Sequence, residues 1–133
     1  MSQDITVGYK QLCAQAENMI ETVTVEQAME MHGRDDVTIV DIRDIRELQR
    51  EGRIPGATHC PRGMLEFWID PDSPYHKDIF AQDRSFVFVC AGGLRSALAT
   101  EVAQRMGLKP VFNMAGGFGA WRKAGGAVEN HER

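Results

Sequence analysis

A chain of 133 residues has room for one domain with a sizeable core, and 43% hydrophobic residues is ordinary for a globular protein. The net charge of −4, with no basic block, excludes nucleic acid and acidic membrane surfaces as expected partners. No apolar run approaches the roughly 18 residues of a membrane span. The three cysteines, Cys13, Cys60 and Cys90, are far apart and form no CxxC pair. That sparse, odd count points away from a disulfide scaffold and toward a reducing, cytoplasmic setting. The opening Met1-Ser2-Gln3-Asp4 lacks the basic-then-apolar pattern of a secretory signal. The four histidines have no metal-ligand spacing, so no metal site is expected.

Residues 8–20 place Tyr9, Leu12, Cys13, Ala16, Met19 and Ile20 in steps of three and four, which predicts an amphipathic helix. This segment (1–20) reads as an extension, suited to packing on the domain or to an oligomer contact, and 21–133 reads as the domain proper. Cys13 lies on its apolar stripe and reads as a buried thiol. A short strand, 21–23, precedes Thr24, which has the character of an N-cap with Gln27 completing a capping box, and that helix should stop at Gly33. Val37 to Ile42 is a strand rich in β-branched residues. Residues 43–50 suit a short surface helix ending near Gly52, and Arg53 to Ala57 a turn. Thr58-His59-Cys60 is a brief strand closed by Pro61.

Residues 62–84 are the least regular, with a short apolar helix over 64–69 and a breaker at Asp70-Pro71. A connection of this length suits a binding or shielding loop, with Phe67 and Trp68 expected to cap the core. Ser85 to Val89 is a buried strand, and a helix from Ser96 has Ala99, Val102, Ala103 and Met106 in core register before Gly107. A last strand, 110–114, and a last short helix, 118–123, follow. Strands alternating with helices predict an α/β domain with a mainly parallel sheet. Ligands bind at the carboxyl ends of such strands, where 41–43, 60–62 and 90–96 can converge.

The chemistry-bearing stretch is Cys90-Ala91-Gly92-Gly93-Leu94-Arg95-Ser96, between a buried strand and a helix. A free thiol is only about 3% ionised at neutral pH. Three features here favour the thiolate: the positive end of the helix, the loop amides of Ala91, Gly92, Gly93, Leu94, Arg95 and Ser96, and the charge of Arg95. Such a cysteine suits phosphate-ester hydrolysis or sulfur transfer. Cysteine phosphatases read C-x5-R, whereas four residues separate Cys90 from Arg95. The shorter loop suits one sulfur atom better than a phosphoryl group.

Four ordered segments carry a family resemblance: Val40-Asp41-Ile42-Arg43 with Glu47; Gly52-Arg53-Ile54-Pro55-Gly56-Ala57, with Arg53 where histidine is usual; the Cys90–Ser96 loop; and Asn113 to Trp121, with a closing GG-x-x-x-W pattern. Together, over roughly residues 21–128, they resemble the single-domain rhodanese (thiosulfate sulfurtransferase) family. The resemblance implies about five mainly parallel strands with helices on both faces. It implies Cys90 as the nucleophile that accepts a sulfane sulfur as a persulfide, with the loop amides stabilising the sulfur anion. Arg95 would order the loop or bind an anionic donor. Asp41 and Arg43 would brace the loop or form a fold-holding ion pair. Cys60 and Arg62 would line the pocket mouth. Donor and acceptor would be thiosulfate or a glutathione or protein persulfide, and cyanide or a thiol. A non-catalytic binding, carrier or sensor module of the same fold is the alternative.

Overall fold

The computed structural model describes residues 2–131. Five strands, β1 (Glu21–Val23), β2 (Val37–Asp41), β3 (Thr58–His59), β4 (Ser85–Val89) and β5 (Val111–Met114), form one sheet in the order β1-β5-β4-β2-β3, with every pair parallel. Six helices accompany it: α1 (Tyr9–Met19), α2 (Val25–Met31), α3 (Ile45–Glu51), α4 (Leu65–Ile69), α5 (Leu94–Met106) and α6 (Gly117–Lys123). The α/β class, the parallel sheet and the strand number follow the expectation.

The two-residue alternation of the central strands divides the core. Phe86 and Phe88 of β4 and Val40 of β2 face one side, with Leu65 and Ile69 of α4 and Ala99 and Ala103 of α5. Val87, Val89 and Ile39 face the other, with Val25 and Ala28 of α2 and Phe118 and Trp121 of α6. Helices therefore cover both faces, as a sheet of buried parallel strands requires.

Local chemistry sets the helix starts. The Thr24–Gln27 capping box forms, and Asp44 with Glu47 makes a second one at the start of α3. The α5 register differs from expectation. The helix begins at Leu94, and its buried residues are Ser96, Ala97, Ala99, Thr100 and Ala103, while Met106 is exposed. The physical reason is a second partner: α1 packs on α5, so small residues are buried on more than one side. Of the expected core-capping aromatics, Trp68 packs on the core with Lys77 over its ring, but Phe67 is exposed.

Candidate active site

The strand ends assemble the site. The amide of Ile42 donates to the Val89 carbonyl and that of Cys60 to the Asp41 carbonyl, so the ends of β2, β3 and β4 lie side by side, as expected. Cys90 follows β4 directly and is 1% exposed. Gly93 then adopts a left-handed conformation, φ +95°, which turns the chain into α5.

No side chain at Gly93 caps α5. Its third amide, that of Ser96, donates instead to Cys90 Sγ at 3.4 Å, so the sulfur occupies the place of a capping oxygen. The Gly93 amide donates to the same sulfur at 3.1 Å and the Ser96 hydroxyl at 3.3 Å. Three donors and the helix dipole thus converge on one atom, an arrangement that stabilises a sulfur anion. Among the described residues, the amides of Ala91, Gly92, Leu94 and Arg95 make no hydrogen bond to Sγ. The cradle at the thiol itself is narrower than the six-amide cradle expected.

The loop is held from behind by the start of α6. The Phe118 amide donates to the Cys90 carbonyl at 2.8 Å and the Gly119 amide to the Ala91 carbonyl at 3.1 Å. Asn113 Nδ2 on β5 donates to the Gly93 carbonyl at 3.3 Å. Gly117 has φ +63°, and a Cβ there would stand 2.5 Å from the Cys90 carbonyl oxygen. These positioning residues were visible in the sequence only as a closing glycine–tryptophan pattern without a role.

Arg95 lines the Cys90 cavity but makes no hydrogen bond to the sulfur. Its two terminal nitrogens donate to the Glu47 carboxylate on α3, each at 2.9 Å. Of the two roles expected for Arg95, this geometry serves the ordering of the loop. The Arg95 hydrogen bond, with the Asp44 amide adding to it, holds the Glu47 carboxyl below its ordinary value against partial burial. A lowered carboxyl stabilises the fold above the ordinary value of 4.5, and that contribution is lost as pH falls through the folded value. The stability difference between wild type and Glu47→Gln is therefore expected to be present at neutral pH and to shrink below pH 4.5 in urea titrations.

Asp41 and Arg43 form a buried ion pair, with Arg43 Nη2 2.7 Å from Asp41 Oδ2 and side-chain exposures of 0% and 1%. Arg43 also donates to the Gly52 carbonyl at 2.9 Å and lies 4.1 Å from the centroid of the Phe118 ring. The pair ties β2 to the segment after α3, touches Phe118 behind the loop, and acts through charge on the Glu47–Arg95 pair. Two expectations at the mouth are corrected. Cys60 is fully buried in the core behind the loop, and burial pushes its thiol up to about 12. Arg62 turns to Glu66 on its own helical turn, at 2.9 Å.

The amphipathic helix, in contrast, reaches the site. Tyr9 and Cys13 of α1 share with Cys90 a cavity of about 360 Å³. The Cys13 thiol donates to the Leu94 carbonyl at 3.8 Å. Cys13 is buried, as expected, yet its surroundings are the site rather than the sheet core.

The family model for the rhodanese-like domain matches residues 24–124. The chain belongs to the rhodanese-like domain family. Its rhodanese relatives include the thiosulfate sulfurtransferase GlpE of Pseudoalteromonas translucida, 29% identical over 77% of this chain and 89% of the relative. The GlpE of Shewanella oneidensis is 31% identical over 77% of this chain and 92% of its own length. A solved structure from Rhodopseudomonas palustris, described as a protein of unknown function and possible tyrosine phosphatase, is 60% identical, with a TM-score of 0.95 over 97% of this chain and 99% of that one. Among the described residues, no helix is long and apolar enough to cross a membrane.

Proposed function

We propose that this chain is a sulfurtransferase that moves a sulfane sulfur from thiosulfate or a persulfide to a thiol or cyanide through a persulfide on Cys90. The observation that carries the reading is the convergence of the Gly93 amide, the Ser96 amide and the Ser96 hydroxyl on Cys90 Sγ. The Cys90 thiolate attacks the outer sulfur of the donor. A carbon-bound sulfur anion or sulfite leaves with the electron pair of the broken S–S bond. The persulfide is held against the α5 N-terminus until a nucleophilic acceptor takes its outer sulfur and restores the thiolate. These steps call on no metal or organic cofactor. The reaction is assigned to residues 21–133 with 1–20 as an extension, whose helix α1 reaches the site, and the three free thiols fit the cytoplasm. A protein persulfide can serve as donor in the same scheme.

Phosphatase chemistry, the description attached to the Rhodopseudomonas protein, is less well supported. A phosphoryl cradle needs a free guanidinium facing it, and that of Arg95 is engaged with Glu47. Steady-state assays separate the two. Wild type is expected to form thiocyanate from a sulfane donor and cyanide, Cys90→Ser to form none, and neither to hydrolyse an aryl phosphate. Aryl phosphate turnover that disappears in Cys90→Ser would overturn the reading. If Cys90→Ser keeps the wild-type rate of thiocyanate formation, the assignment of the nucleophile fails.

A further inference from the structure

The helix outside the family-matched segment forms one wall of the pocket. Tyr9 and Cys13 of α1 and Leu94 and Leu98 of α5 line the cavity at Cys90, and Tyr9 and Leu94 are 61% and 48% exposed. Among the described residues lining this cavity the sole permanent cation is Arg95, and Glu47 neutralises it through two hydrogen bonds. A neighbouring depression of about 490 Å³, past Gly92 and Gly93, is lined by Glu17 of α1 and by no Lys or Arg among the described residues. A dianion without an apolar body, such as thiosulfate, therefore finds no uncompensated positive side chain beside the sulfur and no use for the apolar wall. A donor with a single charge and a hydrocarbon body can bury that body against the wall while its outer sulfur meets Cys90.

We propose that α1 makes the site selective for singly charged sulfane donors with an apolar organic group, an aryl or alkyl persulfide or thiosulfonate, over thiosulfate. This rests on the sulfurtransferase reading. Benzenethiosulfonate is one such donor. The Cys90 thiolate attacks the outer sulfur, a Cys90 S–S bond forms, the donor S–S bond breaks, and its electron pair leaves on benzenesulfinate. Cyanide then removes the outer sulfur as thiocyanate, with no external oxidant or reductant.

The test uses the whole protein with three donors: benzenethiosulfonate, methanethiosulfonate and thiosulfate. Each kcat/KM is divided by that donor's rate with free cysteine in the same buffer, which removes intrinsic reactivity. The expected order is benzenethiosulfonate, methanethiosulfonate, thiosulfate, with about tenfold or more between first and last. Methanethiosulfonate separates charge from apolar bulk without any substitution. Tyr9→Ser, at an exposed helix start, is expected to lower the benzenethiosulfonate value several-fold more than the thiosulfate value. Glu47→Gln, which removes the charge that neutralises Arg95 and can still cap α3, is expected to raise thiosulfate relative to the other two. Equal normalised values, a preference for thiosulfate, or an equal effect of Tyr9→Ser on all donors would overturn the selectivity and leave sulfur transfer standing. Failure of all three donors to form a Cys90 persulfide would overturn the sulfurtransferase reading itself.

Discussion

Arg43→Met is expected to cost about 3–5 kcal/mol of stability, because it leaves the Asp41 carboxylate buried without its partner. The side chain it removes sits at a junction. It meets Asp41 at the end of β2, the Gly52 carbonyl after α3 and the Phe118 ring on α6. Methionine replaces the apolar stem but none of these contacts. Urea denaturation at neutral pH measures the loss. Adding Asp41→Asn to Arg43→Met is expected to recover part of it, since the uncompensated charge is then gone. A single variant as stable as wild type would show that the pair is energetically idle.

Gly117→Ala is expected to strike activity harder than stability. The substitution forces an alanine into φ +63° and pushes its Cβ to 2.5 Å from the Cys90 carbonyl oxygen and 2.6 Å from the Ala91 carbonyl carbon. Left-handed backbone costs a non-glycine residue about 1–2 kcal/mol, and the overlap about 1–3 more before the chain relaxes. The atoms in the way are backbone, so the Cys90–Ala91 segment and the start of α6 must shift relative to each other. A displacement of about 1 Å at a reacting group can lower a rate about 100-fold. The variant should therefore keep its far-ultraviolet circular dichroism and lose about two orders of magnitude in thiocyanate formation. Full activity would mean that the contact between α6 and the loop does not set the position of Cys90.

The reach of the sequence follows from the range of the interactions involved. The capping boxes at Thr24 and Asp44 are local: a side chain and an amide three residues apart determine them. The former was legible in advance, and the latter needs only the same spacing of an acceptor and a glutamate. The buried strands 37–41 and 85–89 were legible from their composition. The nucleophile was legible because a cysteine, two glycines and a helix start are contiguous. Its supports were not. Glu47 meets Arg95 across 48 residues, and Phe118 meets the Cys90 carbonyl across 28. Only the folded sheet brings those partners together. Arg95 in isolation read equally as a ligand for an anion or a brace for the loop; its pairing with Glu47 was not legible. Cys60 and Arg62 fall at the right strand end, but direction within the end decides their place: one side chain enters the core and the other pairs with Glu66 of α4. The α1 helix was legible, but of its expected stripe only Cys13 and Ala16 are buried, while Tyr9, Leu12 and Met19 are exposed. What periodicity cannot tell is whether an apolar stripe covers a core or walls a cavity, and Tyr9 and Cys13 do the second.

The most direct test of sulfur storage at Cys90 is the mass of the protein after a single exposure to a sulfane donor and removal of excess reagent. Intact mass is expected to rise by one sulfur atom in wild type, fragment spectra to place it on the peptide containing Cys90, and cyanide to return the mass to its starting value. Cys90→Ser should show no increment, while Cys13→Ser and Cys60→Ser should still show it. A wild-type chain that gains no sulfur from any of the three donors, or gains it on Cys13 or Cys60 with Cys90 unmodified, would contradict the account.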